Sequence, residues 1–534
     1  MKPHERKVIK LHGRRRILTD VKEITSDNII DVLQKSYAIH LINAVEIQYL
    51  IDYELGDQPL PREKIIRPEI SIEVSENAAS YVTDFKKGYF WGIPPVLVQH
   101  GDREMHETDP VSDDTGIAAL NEMMLNGLDV SYENQMLGDF VEKCGVGHRL
   151  VDIKTDFTED PNTYVTMHTL DSRYSFCVYY NGVGQKKVLG VTYVKTLDGK
   201  IRFTCYTNQY RFDIEAVGTE WSIIYPEPEM QINPLGMIPI VEFNRAIDRT
   251  GAWERHISYM DGLNVLISDF ENNVAQITQQ IWWGDNVNFE VDKNGNAIKP
   301  ESGDWLLTYS GENKKASVQP LVSSLDGQST LSAIGFQWNR ILQKCHVPVT
   351  QESVGGGSTG TATSMATGWQ SAEVDALREE AVINKAMKEE LRLILKAIEF
   401  VPESILPMDA PIRKVHVSDV DMHYSRNRNY DLSIKANTLA TLINTGMDGR
   451  DAIKLSEIAP DAEQVWLNSK HLIEGKQYKM FFGESTSGTT STGVGDTSIK
   501  GDKSALQDLS MQSQNSPFIG SLGQSAGGMH GKNA

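Results

Sequence analysis

The chain has 534 residues, 40% of them hydrophobic, and a formal net charge of −20. That length can bury several cores, so roughly two to four domains are expected, and no apolar run approaches the roughly 18 residues of a membrane span, which leaves no membrane partner to expect. The acidic balance argues against a protein that grips DNA by neutralising phosphates with Lys and Arg; it serves solubility, and if DNA is involved it favours passage over tight binding.

The first sixteen residues are basic, with Arg14, Arg15 and Arg16 together, but lack the apolar stretch of a signal peptide. Residues 27–53 read as a helix with Ile29, Ile30, Val32, Leu33, Ile39, Leu41 and Ile42 on its apolar side. Residues 113–144 read as helical too, through Leu120, Met123, Met124 and Leu128, then Met136, Phe140 and Val141. From 163 to 224 the pattern alternates as strands do, and Asn181-Gly182 and Asp198-Gly199 mark hairpin turns. Pro226, Pro228, Pro234 and Pro239 give an irregular connection, so residues 1–252 form one α+β body. Cys144, Cys177, Cys205 and Cys345 are scattered without metal spacing, which predicts reduced thiols in a cytosol and a soluble intracellular chain.

Two narrow apolar seams follow. Met260, Leu263, Ile267, Phe270, Val274, Ile277 and Ile281 recur in steps of three and four, and so do Leu331, Ile334, Trp338, Ile341 and Cys345. The first helix, 253–281, is roughly 40 Å long at an α-helical rise. Two readings stay open: an ordinary antiparallel pair of core helices, or a helical pair repeated around a ring of subunits with part of the seam buried between chains. Residues 282–325 between the helices form a compact β insert, with candidate strands at 287–291 and 305–309 and a turn at Asn294-Gly295.

Next comes a flexible loop at 347–363, glycine-rich from Gly355 to Gly360, and then a long charged helix at 364–400. A strand is expected within 415–424 and helices beyond it, with a break near Gly446. Residues 483–534 are rich in Gly, Ser, Thr and Gln and poor in large apolar residues, so disorder is expected there.

Enzyme chemistry is not visible. The glycine loop lacks the Lys-Ser/Thr pair of a P-loop and follows a helix instead of a strand. Gly356-Gly357-Ser358-Thr359-Gly360 fits the G-x-S-x-G pattern, but a nucleophile elbow needs a strand–turn–helix context, so a serine hydrolase using Ser358 is only a rival. Asp292 to Asn296 places its glycine too early for a calcium loop, and no catalytic, metal-ligating or cofactor-binding set stands out.

The order of parts carries a resemblance. The body ends in the run Asn233-Pro234-Leu235-Gly236-Met237-Ile238-Pro239-Ile240-Val241-Glu242-Phe243-Asn244. A helix from Trp253, the β insert, a second helix, the flexible loop and the Gly360-Thr361-Ala362-Thr363-Ser364 entry into the long helix follow, and Arg426-Asn427-Arg428 comes after. Over roughly residues 110–470 this order resembles the portal proteins of tailed bacteriophages, the head-to-tail connectors of long-tailed phages.

The resemblance implies a ring, typically of twelve subunits, at one capsid vertex of the virion, assembled in the host cytoplasm, with double-stranded DNA passing through its axis for packaging and ejection. Residues 1–252, with a return strand at 401–428, would be the wing, and 253–281 with 326–346 the stem. Met260, Leu263, Ile267, Phe270, Val274, Ile277, Leu331, Ile334, Trp338 and Ile341 would form the stem seam. The clip, 282–325, would meet the terminase and later the head-completion or tail adaptor protein, with Asp285, Asn288, Lys293, Asn294 and Lys299 as contacts. Residues 347–363 would be the tunnel loop, with Thr350, Gln351, Glu352, Ser353, Gly355, Gly356, Gly357, Ser358 and Thr359 facing the DNA. The long helix at 364–400 lies behind it, and residues 429–482 would form a helical crown toward the capsid interior and its major capsid or scaffolding protein. Excess negative charge would let DNA slide, and a Gly/Ser/Thr loop can shift at little conformational cost. A shorter ring-forming head–tail adaptor is the nearer rival; the motor must be a separate protein, since no ATPase motif is present.

Overall fold

The computed structural model describes residues 11–60, 70–99, 114–225, 231–278, 282–285, 293, 315, 317–320, 327–349, 368–426, 432–456, 458 and 465–473, apart from 12, 159, 161 and 467. A three-residue strand, β1 (Ile17–Thr19), precedes the helix α1 (Ile29–Glu54). Ile29, Val32, Leu33, Ile47 and Leu50 recur at helical spacing and all are buried, which is why this stretch is a helix against a core. Then come α2 (Ala78–Phe90) and β2 (Val96–Gln99). The stretch expected as one helix from 113 to 144 is divided. α3 (Asp114–Glu122) runs into a π turn at Met123–Gly127, and α4 (Val130–Cys144) restarts after Asp129, whose φ of 47° is left-handed. Apolar spacing hides the break, because Leu128 and Val130 on either side are both buried.

The strands expected between 163 and 224 are present. β3 (Val146–Ile153), β4 (Val165–Leu170), β5 (Ser175–Tyr180), β6 (Lys187–Lys195), β7 (Ile201–Tyr206), β8 (Tyr210–Val217), β9 (Glu220–Ile223), β10 (Gln231–Ile232) and β11 (Ile240–Asn244) follow in order. The larger sheet has seven strands, in the order β1-β5-β6-β7-β8-β10 with β9 also on β8, while β11-β3-β4 make a second sheet. Tyr193, Phe203 and Ile214 stand side by side across β6, β7 and β8. They bury one face of the sheet, and Tyr37 of α1 meets the Tyr193 and Phe203 rings edge-on at 5.3 and 5.1 Å.

Beyond the body lie α5 (Ile257–Thr278), the strands β12 (Trp282–Asp285) and β13 (Ser317–Pro320), and α6 (Gly327–Lys344). β12 and β13 pair antiparallel, Trp282 opposite Pro320, and close the neck of the insert. The strands expected at 287–291 and 305–309 lie outside the described residues. The long helix, α7 (Trp369–Glu399), buries Ala372, Ile383, Leu391 and Ile394 in the largest apolar cluster, together with Leu137 of α4, Val151 of β3 and Phe243 of β11.

After α7 the chain returns to the body as β14 (Val420–His423), which pairs antiparallel with β2, 300 residues or more earlier in sequence. The stretch 415–424 is strand only at these four residues; a 3-10 turn at Val417–Asp419 precedes them. α8 (Leu432–Asn444) and α9 (Gly449–Ser456) follow, with the expected break at Gly446 (φ 90°). The architecture is mixed α and β, as expected. The tail at 483–534 lies outside the described residues.

Candidate functional site

The candidate site is the α5/α6 hairpin with its root in the body, and its burial changes along its length. At the root, Met260, Leu263 and Ile341 are at most 1% exposed and pack with Trp253, Leu342, Cys345 and Val347. Tyr53 of α1 stacks on Trp253 at 5.4 Å, and the Trp253 indole N–H donates to Thr83 Oγ1 at 2.9 Å. Ile267, Ile334 and Trp338 are half-buried against the same cluster, and Phe270 is half-buried as well. Farther out Val274 is 42% exposed and Leu331 50%; Phe336, beside the seam, reaches 71%. Ile277 lies in α5, but its side chain is outside the described residues. The structure thus brings the lower seam together and leaves apolar side chains of the upper seam open.

The face of α5 beside the seam is polar, and the sequence reading missed it. Asn264, Ser268 and Asn272, four residues apart, are all buried and hold the extended segment that leads into α2. Asn272 Oδ1 accepts from the Ile72 N–H and its amide donates to the Ile72 carbonyl, both at 2.8 Å. Ser268 Oγ accepts from the Val74 N–H at 3.0 Å and donates to its carbonyl at 3.3 Å, and Asn264 accepts from the Glu76 N–H at 3.0 Å. Four helical residues rise about 6.0 Å and two extended residues about 6.6 Å, so the side chains keep step with alternate backbone groups. The helix serves as the segment's missing strand. The same device recurs where Asn43 brackets Arg15 and Asn121 brackets Leu97, each accepting from the N–H and donating to the carbonyl.

The roots of the glycine loop are tied together by charge. On one side His346 is left-handed (φ 56°), and on the other Gly368 (φ 88°) opens α7. His346 Nδ1 lies 2.6 Å from Ser371 Oγ, and Lys86 Nζ donates to the His346 carbonyl at 3.4 Å while pairing with Asp375 at 2.7 Å. Arg245, from the chain beyond β11, joins Asp375 at 2.6 Å and Glu142 at 2.9 Å. Burial alone would raise the Asp375 carboxyl, but the Arg245 and Lys86 charges hold it at about 2. Glu379 goes the other way: burial, then the neighbouring Glu142 carboxylate, push it well above the ordinary value. Thr350, Gln351, Glu352, Ser353, Gly355, Gly356, Gly357, Ser358 and Thr359 lie outside the described residues, so the structure places only the ends of this loop.

At the insert, Asp285 ends β12 opposite Ser317 and Lys293 is exposed in a turn, whereas Asn288, Asn294 and Lys299 lie outside the described residues. One buried trio, His148, Cys177 and Glu242, has the elements of a metal site. Its donors are already committed. Arg249 pairs with Glu242 at 2.9 Å, His148 Nε2 faces the same carboxylate at 3.7 Å, and burial pushes the Cys177 thiol up to about 12. A metal would have to displace a guanidinium and deprotonate a thiol in an already cationic pocket, so the trio reads as an ion-paired core.

Together the described parts make an arm rooted in a charged, buried joint, from which both ends of the 347–363 loop depart. A family model described as phage portal protein, SPP1 Gp6-like, matches residues 73–449. No curated protein matches the chain.

Proposed function

Because the chain belongs to the phage portal proteins of the SPP1 Gp6-like family, a virion component of the head–tail connector with a role in DNA packaging, we propose that it closes into a ring, typically of twelve subunits, through which double-stranded DNA enters and leaves the capsid. In this reading α5 and α6 are the stem, 282–325 is the clip that meets the terminase and then the head-completion or tail adaptor protein, and 347–363 lines the channel. Residues 1–252 with the return strand form the wing, 429–482 form the crown facing the major capsid or scaffolding protein, and the ring assembles in the host cytoplasm. The chain acts as conduit and platform, and the packaging motor is a separate protein.

The observation that carries this reading is the burial gradient of the hairpin. Its root is buried within one chain, while Val274 and Leu331 toward the tip, and Phe336 on another face of α6, leave apolar surface exposed. Apolar surface of that kind is covered when hairpins stand side by side around an axis. Negative-stain images and mass measurement of the purified chain test it: closed rings at a multiple of the 59.7 kDa subunit are expected. Monomer or dimer alone, across varied salt and micromolar concentration, would sink it. Deleting residues 355–360, or replacing Gly356 and Gly357 with Pro, is expected to leave rings and proheads that package little or no DNA; normal packaging would reduce the loop to a linker.

A further inference from the structure

In a chain of net charge −20, the solvent face of α7 has the opposite sign. Arg378, Lys385, Lys388 and Arg392 are all exposed, and none forms an ion pair among the described residues. At 3.6 residues per turn they fall on one stripe roughly 80° wide, and Arg378 and Arg392 are about 21 Å apart along the axis. Val374 and Leu377, at 43% and 49% exposure, extend the same face toward the start of the helix.

Most acidic residues of α7 lie off this stripe, and the two that do not, Glu389 at its edge and Glu399 near the end of the helix, are ion-paired. Glu373 and Glu380 hold Arg426, Asp375 holds Lys86 and Arg245, Glu389 holds Lys187, and Glu390 holds Arg149. Glu379 faces Arg245, and Glu399 is spent on Lys396. A solvated helix face ordinarily mixes both signs, because neighbouring opposite charges at i,i+4 spacing are mildly favourable and like charges are not. Here every carboxylate is consumed internally, and four cations are left in a row. That arrangement calls for an anionic surface from outside the chain.

An anionic surface of matching kind exists on the chain itself. Glu73, Glu76 and Glu271 are exposed, and none is in an ion pair among the described residues. They are held in fixed relation by the polar ladder, since Glu271 adjoins Asn272, which brackets Ile72, and the Glu76 N–H is bonded to Asn264. Ile72, 39% exposed, and Tyr81, 49% exposed, lie along the same stretch of chain. Each strip therefore combines like charge with an apolar residue, and the two signs are opposite.

We propose that the basic stripe of α7 on one subunit docks on the acidic strip of Glu73, Glu76 and Glu271 on the next. The proposal rests on the ring reading above and names the surface that closes the ring. Two different patches allow a heterologous contact that repeats around an axis, as the ring reading requires; an isologous dimer would instead use both patches in one reciprocal contact, and particle size tells the two apart. Opposite potentials steer encounter and set the register, while the apolar residues beside them supply burial.

Charge reversal tests this with the full-length chain. In one variant Arg378→Glu, Lys385→Glu and Lys388→Glu make the stripe acidic; in a second, Glu73→Lys, Glu76→Lys and Glu271→Lys make the strip basic. Each alone is expected to keep the wild-type melting curve and to raise the concentration for half-assembly by about tenfold or more. Mixed in equal amounts, the two are expected to form rings again by alternating, because an acidic stripe then meets a basic strip at one contact and a native basic stripe meets a native acidic strip at the next. A milder Arg378→Gln, Lys385→Gln, Lys388→Gln variant guards against misfolding, and its rings are expected to come apart at lower salt than the wild type.

Rings that form normally from the stripe-reversed variant would overturn the proposal. So would a mixture that fails to assemble while both partners are folded. If the stripe-reversed rings are intact but no longer bind a short fluorescent DNA duplex, the stripe is a phosphate-facing surface and the subunit contact is refuted. Wild-type protein that forms no ring at all would instead refute the ring reading on which the proposal stands.

Discussion

The two ends of the α5/α6 hairpin are built on different terms. At the root, Trp253, Met260, Leu263, Ile341 and Leu342 are buried within one chain, and the Trp253 indole N–H donates to Thr83. Farther out, Val274 and Leu331 repeat the same apolar chemistry but are 42% and 50% exposed, and Phe336, on another face of α6, is 71% exposed. One seam thus does two jobs: its lower part folds the subunit, and its upper part is left for another surface. The lesson is that apolar periodicity specifies a packing face without saying whose atoms will cover it.

Breaking the root should have the largest effect. Trp253→Ala removes a fully buried ring and its hydrogen bond to Thr83, and is expected to cost about 3–5 kcal/mol of subunit stability. Denaturant unfolding would read it, and a loss within a few tenths of that of a surface substitution would show that the root is not the folding anchor. Leu263→Asp, which puts an unpaired charge in the same cluster, is expected to prevent folding altogether.

The polar ladder comes next. Asn272→Ala strands both the N–H and the carbonyl of Ile72, and a loss of roughly 1–3 kcal/mol is expected. Hydrogen exchange should show the amides of Ile72 and Val74 exposed first. Unchanged protection there would mean that the segment is held by something other than the ladder.

At the outer end the expectation reverses. Val274→Asp and Phe336→Asp sit on exposed positions and should change subunit stability by no more than about 0.5 kcal/mol. Both should nevertheless lower the yield of rings, as followed by light scattering. A variant that melts early but assembles normally would erase the contrast between the two ends.

The smallest effect concerns the charged joint beside the loop roots. Glu379 is raised well above 4.5 by burial and by Glu142, so its folded form holds a proton that the unfolded form releases. Its contribution is fully present below about 4.5 and declines as pH rises toward the folded value. Glu379→Gln keeps the neutral shape, so its melting temperature should gain on the wild type as pH climbs above 4.5. Asp375, depressed from 3.8 to about 2, acts in the opposite sense: its stabilisation is present above 3.8 and fades as pH falls toward 2. A wild-type-minus-variant difference that stays flat with pH would show Glu379 ionised in the fold.

Much of the frame was legible. α5 and α6 follow from apolar steps of three and four, α7 from its charged, alanine-bearing composition, and the hairpins around 181 and 198 from Asn-Gly and Asp-Gly. α1 is a helix as expected, but Leu41 and Ile42, expected on its apolar side, are 39% and 49% exposed. The order of elements carried the family. The division of 113–144 at Asp129 was not legible, because its flanks are apolar on both sides. Nor was the ladder, although the i, i+4, i+8 spacing of Asn264, Ser268 and Asn272 within an apolar helix was a signal that could have been weighed.

What the sequence determined by itself is local and periodic: which stretches are helix or strand, and where chain direction reverses. Periodicity suffices there because each choice depends on neighbours a few residues away. Tertiary structure alone decided the partners. Asn272 meets Ile72 across 200 positions, Lys86 meets Asp375 across 289, and Arg245 meets Glu142 across 103. A buried polar or charged group is tolerable only when its complement arrives from elsewhere in the fold, and no spacing rule along the chain announces which complement that is.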